Sequence, residues 1–167
     1  DLSANLPDEP GCLEGNDPFA VQGGYDLAIA VKPDNPNVVL LGGVNAFRST
    51  DGFTSTANTV RIAGYNNTSG YGFSQATHPD IHCFTFAPNN PNVFLMGTDG
   101  GISEANLLAN PISFTEKNTN FTTLQYYRAA IDPTLGSSIY IGGAQDNGVV
   151  NRTANNNNHT VVLTGDG

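Results

Sequence analysis

Short apolar runs and turn-forming residues alternate along the chain, and the runs come in pairs. Residues 25–31 read YDLAIAV, residues 81–87 read IHCFTFA and residues 126–131 read YYRAAI. Each is apolar, β-branched or aromatic and stops at a proline-containing turn, which is the signature of a strand entering a hairpin. A second apolar run follows each turn: VVLL, VFLM and SIYI. It ends at Gly42, Gly97 or Gly142, nine residues after Pro33, Pro88 or Pro133. Segments 30–49, 85–104 and 130–150 therefore superimpose, with proline spacings of 55 and 45 residues. That period is close to the roughly 40–50 residues of a four-stranded propeller blade.

The pattern predicts an all-β fold built of β-propeller blades: about three four-stranded blades, a partial propeller. The first strands are expected near 25–31, 81–87 and 126–131. Further strands are expected at 46–49, 60–63, 102–104, 112–116, 149–152 and 160–163. Residues 104–108 carry the one signal for a turn of helix, and the Asn-rich tract 155–158 reads as a hairpin tip. Residues 1–19 form an acidic, loop-like N-terminal segment; residues 20–167 form the partial propeller, with repeats near 25–75, 78–118 and 121–167. Three blades fall short of the roughly four that closure takes. The expected partners are therefore the remaining blades of a longer chain or other protein subunits.

Composition agrees with this picture and narrows the partners. Of 167 residues, 21 are Asn, 19 Gly and 10 Pro, all turn formers that argue against a helical bundle. Six Lys and Arg face fifteen Asp and Glu, a net charge of −9. Phosphate backbones require clustered basic residues, and none cluster here, so nucleic acid is excluded as a partner. No apolar window is long enough for a transmembrane segment. Scarce Lys, abundant Asn, Thr and Ser, and net acidity fit a secreted or extracellular-surface protein. Cys12 and Cys83 either bridge or remain two thiols; two cysteines do not make a disulfide scaffold.

Taken in order, YDLAIAV, GGVNAFRSTDGF, HPDIH, GTDGG, the Gln-Tyr-Tyr strand, GGAQDNG and the terminal GDG resemble one propeller family. It is the BNR or Asp-box-like repeat proteins, related to sortilin-type and xyloglucanase-type propellers, and most similar to large secreted proteins of the Bacteroidetes exported by the type IX system. The resemblance covers residues 20 to 167. It implies a secreted or cell-surface propeller whose relatives variously bind, adhere or hydrolyse β-glucans. The turn Ser49-Thr50-Asp51-Gly52-Phe53-Thr54 resembles the Asp box but lacks its second Gly and its Trp. Asx-turn chemistry makes that motif structural, and Asp51 is not expected to be catalytic.

In an up-and-down sheet the entrance to the first strand and the second hairpin lie at the same end. That rule gathers Tyr25, Asp26, Asn45, His78, Asp80, His82, Asp99, Gln125, Asp146, Asn147 and Asp166 on one rim of the blade arrangement. His78 and His82 are four apart, but Pro79 and the strand-like run argue against a helical zinc pair. Asp and Asn oxygens suit calcium, with Asp99 and Asp146 as its candidate ligands. Glycoside hydrolysis requires two carboxyls about 5–10 Å apart; Asp80, Asp99, Asp146 and Asp166 are the candidates. The absence of Trp counts against sugar platforms, though Tyr25, Tyr65, Tyr71 and Phe73 could serve. The expected function is a non-catalytic binding, adhesion or assembly module, with a xyloglucanase-type hydrolase as the alternative.

Overall fold

The computed structural model describes residues 1–7, 21–67, 70–74, 77–120, 124–153 and 159–167, with backbone alone for 66, 67 and 70–74. The fold is all-β, with three antiparallel up-and-down sheets of the propeller-blade type. Among the described residues the only helical pieces are two three-residue 3-10 turns, Ser3–Asn5 and Gln22–Gly24. No helix is long and apolar enough to cross a membrane. The chain forms two compact units, Asp1–Thr119 and Asn120–Gly167.

The first unit holds two sheets. Sheet one runs β1 (Ala28–Lys32), β2 (Asn35–Gly42), β3 (Ala46–Ser49), β4 (Thr59–Asn67) and β5 (Gly70–Ser74), each strand paired with the next. Sheet two runs β6 (Ile81–Ala87), β7 (Asn90–Thr98), β8 (Gly101–Asn106) and β9 (Phe114–Glu116) in the same manner. The fifth strand of sheet one is not among the expected strands, because YGFS sits among Gly, Ser and Asn that read as loop. Residues 104–108 are not helical: β8 runs to Asn106, because Glu104 and Ala105 pair with Leu95 and Phe94, and tertiary pairing outweighs a short local signal.

The turn chemistry repeats with the sequence. Asn35 accepts the N–H of Asn37 and Asn90 that of Asn92, both at 3.1 Å. These Asx turns reverse the chain between the first two strands of each sheet. A row of cross-strand neighbours, Phe86, Phe94, Ala105 and Phe114, then crosses sheet two. Phe94 is fully buried, its ring 5.9–6.1 Å from those of Phe84, Phe86 and Phe114. This row packs with Met96 and Ile81 against Ala28, Leu40, Ala46, Ile62 and Ala63 of sheet one. The approach is close at Gly42, where a Cβ would lie 2.7 Å from Ile81 Cγ2; glycine is required by contact there.

The opposite face of sheet one buries Val39, Leu41, Phe47 and Phe53, with Leu6 and Val21 against them. Asn5 Nδ2 ties the N-terminal segment down by donating to the carbonyls of Phe53 and Thr54 at 3.0 Å. Phe53 reaches this cluster from the Asp-box-like turn at φ 61°. Ser49 Oγ accepts the N–H groups of Phe53 (2.9 Å) and Asp51 (3.2 Å). Ser49, Ser55 and Asn58 in turn donate to the Asp51 carboxylate at 2.7–3.0 Å. The Asn58 and Ser55 bonds hold that carboxyl well below the usual range.

The second unit is one sheet: β10 (Tyr126–Ile131), β11 (Tyr140–Ala144), β12 (Gly148–Arg152) and β13 (Thr160–Leu163). Gly142 repeats the close-approach role, its Cα facing Tyr126 so that a Cβ would lie 2.6 Å from the ring. The Asn-rich tract 155–158 and Cys12 lie outside the described residues; Cys83 is exposed on β6.

Phe94→Ala should cost about 3–5 kcal/mol by opening a cavity between the sheets. Val60→Ala, at a side chain with 45% exposure on β4, should stay within about 0.5 kcal/mol. Urea denaturation midpoints of the two variants check the contrast. Ser49→Ala should cost about 1–3 kcal/mol, since two turn amides lose their acceptor; the same titration measures it.

Candidate functional site

The polar groups of the first unit collect at the end of the sheets where β1 and β6 begin. The 3-10 turn Gln22–Gly24, with Gln22 and Gly23 at positive φ, delivers Tyr25 and Asp26 to the start of β1. The link into β6 is pinned to sheet one by its backbone: Asp80 N–H donates to Val44 O and Ile81 N–H to Gly43 O, both at 2.9 Å. Asp80 takes φ 63° to make that turn, a conformation Asp tolerates better than most residues. Asp99 sits in the β7–β8 turn, where Thr98 Oγ1 accepts the Gly100 N–H at 3.1 Å. Gly100 lies against His78, and a Cβ there would be 2.4 Å from that of His78. The HPDIH segment and the TDGG turn therefore fit together only because of this glycine.

These placements bring Gln22, Tyr25, Asp26, His78, Asp80, His82 and Asp99 to one place. Gln22 Nε2 donates to Asp80 Oδ1 at 3.0 Å. Tyr25 OH lies 3.3 and 3.4 Å from the two Asp99 oxygens. His82 Nε2 contacts Asp99 Oδ1, and the Tyr25 and His82 rings meet edge to face at 5.1 Å and 85°. Carboxylate oxygens of Asp80 and Asp99 approach within 4.8 Å. His78 Nδ1 lies 3.1 Å from the Pro79 carbonyl.

Asp26 is the group that sequence reasoning placed at a strand entrance without assigning it a role. It has no exposed surface, and neither of its carboxyl oxygens meets an N–H or O–H donor among the described residues. It faces the Asp80 carboxyl instead, and a hydrogen bond between two carboxyls requires that one keep its proton. Burial, followed by the charge of Asp80, pushes Asp26 up from 3.8 to about 7. Burial and the Asp99 charge also raise Asp80, opposed by the bond from Asp26 and by His78 and His82. Gln22 carried no sequence signal at all; only the fold of the 3-10 turn reveals it.

Asn45 is a structural residue here. It is buried, and its Oδ1 accepts the Tyr65 N–H at 2.8 Å, bridging the β2–β3 loop to β4.

The second unit has its own polar hairpin. Asp146, at φ 53°, donates its N–H to Asp166 Oδ1 at 3.1 Å. Asn147 Nδ2 donates to Gln145 O at 2.8 Å. Gly148 and Gly167 donate N–H groups to Gly165 O and Ala144 O at 2.7 and 3.1 Å. The terminal Gly-Asp-Gly is thus folded onto the β11–β12 turn. Gln125 is exposed just before β10.

No protein-family model matches the chain, and no curated protein matches it in sequence.

The raised Asp26 pKa carries a sign that melting can test. The native state keeps a proton between about pH 4 and pH 7 that the unfolded chain has released, so the folded form binds more protons there. Stability must then fall as pH rises through that window and level off above about 7. In chelator-containing buffer, the melting temperature of Asp26→Asn relative to the native chain should rise from pH 4 to pH 7. A flat difference would remove the proton from Asp26.

Proposed function

We propose that this chain is a non-catalytic binding module of a secreted or cell-surface propeller, with its ligand site at the mouth formed by Tyr25, His82 and Asp99. The observation that carries the reading is the Tyr25 ring, 49% exposed and held by His82 edge-on and by Asp99 through its hydroxyl. An exposed aromatic plane beside carboxylate acceptors is the chemistry that receives a polyhydroxylated ligand: apolar sugar faces stack, and hydroxyls donate to the acids. The ligand class is therefore carbohydrate. Secretion rests on the Lys-poor, Asn- and Thr-rich acidic composition and on the Asp-box-like resemblance. Further blades or subunits are the proposed protein partners, because Leu27, Ile29 and Val31 at the start of sheet one remain exposed at 51–69%.

Hydrolysis is the competing reading, since Asp26 and Asp80 set a protonated acid against a base. Their direct contact, however, leaves no room between them for a glycosidic bond and a water, which need about 5–10 Å.

Calorimetric titration with soluble β-glucan and xyloglucan oligosaccharides tests the proposal. Binding should be measurable, and Tyr25→Ala should weaken it about tenfold or more, the loss of one stacking platform. Absence of binding to every glycan offered would overturn it. Release of reducing ends that Asp80→Asn abolishes would replace it with the hydrolase.

A further inference from the structure

Three carboxyls, Asp26, Asp80 and Asp99, share one corner of the first unit with no Lys or Arg among the charges acting on Asp26 or Asp80; only His78 and His82 oppose their repulsion. An acidic cluster alone does not make a site, because turns commonly collect acids that water solvates. Asp26 is different. It is fully buried, both of its oxygens lack a donor among the described residues, and it is aimed at Asp80. A buried carboxyl without a donor is costly, and the fold builds one at the start of β1, next to a second carboxyl that a backbone turn holds in place. Carboxylate oxygens of Asp80 and Asp99 lie within 4.8 Å of each other, a spacing that a single ion spans with ligand distances of about 2.3–2.6 Å.

We infer that Asp26, Asp80 and Asp99 form a binding site for a divalent cation of the calcium type. The donor set decides the metal. The three carboxyls offer oxygens alone, and among the described residues no thiol joins the cluster. A hard ion that accepts an irregular oxygen shell and completes it with water fits better than zinc. Asp26, once it releases the proton it shares with Asp80, supplies oxygens that no donor among the described residues reaches; Asp80 supplies the oxygen not taken by Gln22, and Asp99 closes the shell. The charge count agrees: a divalent ion offsets the repulsion that the histidines oppose only in part. The inference stands whether or not the module's ligand is a carbohydrate.

Tyr25 makes the site observable. Its hydroxyl lies 3.3 Å from an Asp99 oxygen, so the ring can transfer excitation to terbium bound there. The chain in metal-free buffer at pH 7.5 is titrated with terbium under tyrosine excitation, then with calcium as competitor. Emission should appear, calcium should displace it, and Tyr25→Phe should remove most of it without abolishing calcium binding by calorimetry. Asp26→Asn and Asp99→Asn should each weaken calcium about tenfold or more, while Asp34→Asn, on the exposed β1–β2 turn, should not. Calcium about a hundredfold above its Kd should raise the native melting temperature by about 5–10 °C, a readout that needs no variant. No calcium-dependent melting shift and no displaceable emission would overturn the inference. So would unchanged affinity in Asp99→Asn, which decides the matter if Asp26→Asn fails to fold.

Discussion

How closely the first two sheets approach determines everything at the site. Sheet one meets its neighbour with small residues, Ala28, Gly42, Ala46 and Ala63, which lie opposite one another across four strands. Ile81 settles onto Gly42, and that contact brings the chain before β6 within hydrogen-bond reach of the β2–β3 loop. The two backbone bonds made there, from Asp80 and Ile81, fix where the Asp80 carboxyl points. A methyl group on Gly42 would push Ile81 away and loosen both bonds. The apolar packing between the sheets and the polar geometry at their end are thus one constraint.

The two kinds of aspartate in this unit show what that constraint does electrostatically. Asp51 receives donors from Ser49, Ser55 and Asn58 and is held ionised. Asp26 receives none among the described residues, faces another carboxyl, and is pushed to about 7. The residue type is the same; the number of donors and the sign of the neighbouring charge decide its state. The Asp51 loop is complete in itself, whereas the Asp26 corner needs a proton or a positive charge from elsewhere.

Much of this architecture was legible because propeller-type sheets write their period into the sequence. The proline-to-glycine interval located the first and second strands: β6 and β10 fall on the predicted residues, and β1 begins three residues later than expected. The turns were legible too, since Asn and Ser bond locally. The meeting of Tyr25, His82 and Asp99 followed from knowing which sheet end each loop occupies. What sequence could not give was direction and burial. Asn45 lies on the correct loop yet turns inward to Tyr65. Asp26 looked like one more entrance residue, because nothing local reveals that both of its oxygens are closed off. β5 was lost because its pairing with β4, not its composition, makes it a strand.

The division of labour between the two ends of these sheets follows from parity. A meander returns to its starting end after every second strand, so first-strand entrances and second hairpins share one end, while first and third hairpins share the other. In the first unit the latter end carries Asn35, Asn90, Asn106 and the Asp51 loop, and each side chain there is spent on its own backbone or on a neighbour in the same turn. Such groups have little capacity left for a ligand. At the other end Tyr25 is exposed and Asp26 is unmatched. The fold alone does not specify a function, but this asymmetry does specify a place. Polar groups satisfied within a turn stabilise the sheet; polar groups that the sheet leaves unsatisfied are the ones a ligand or an ion can complete.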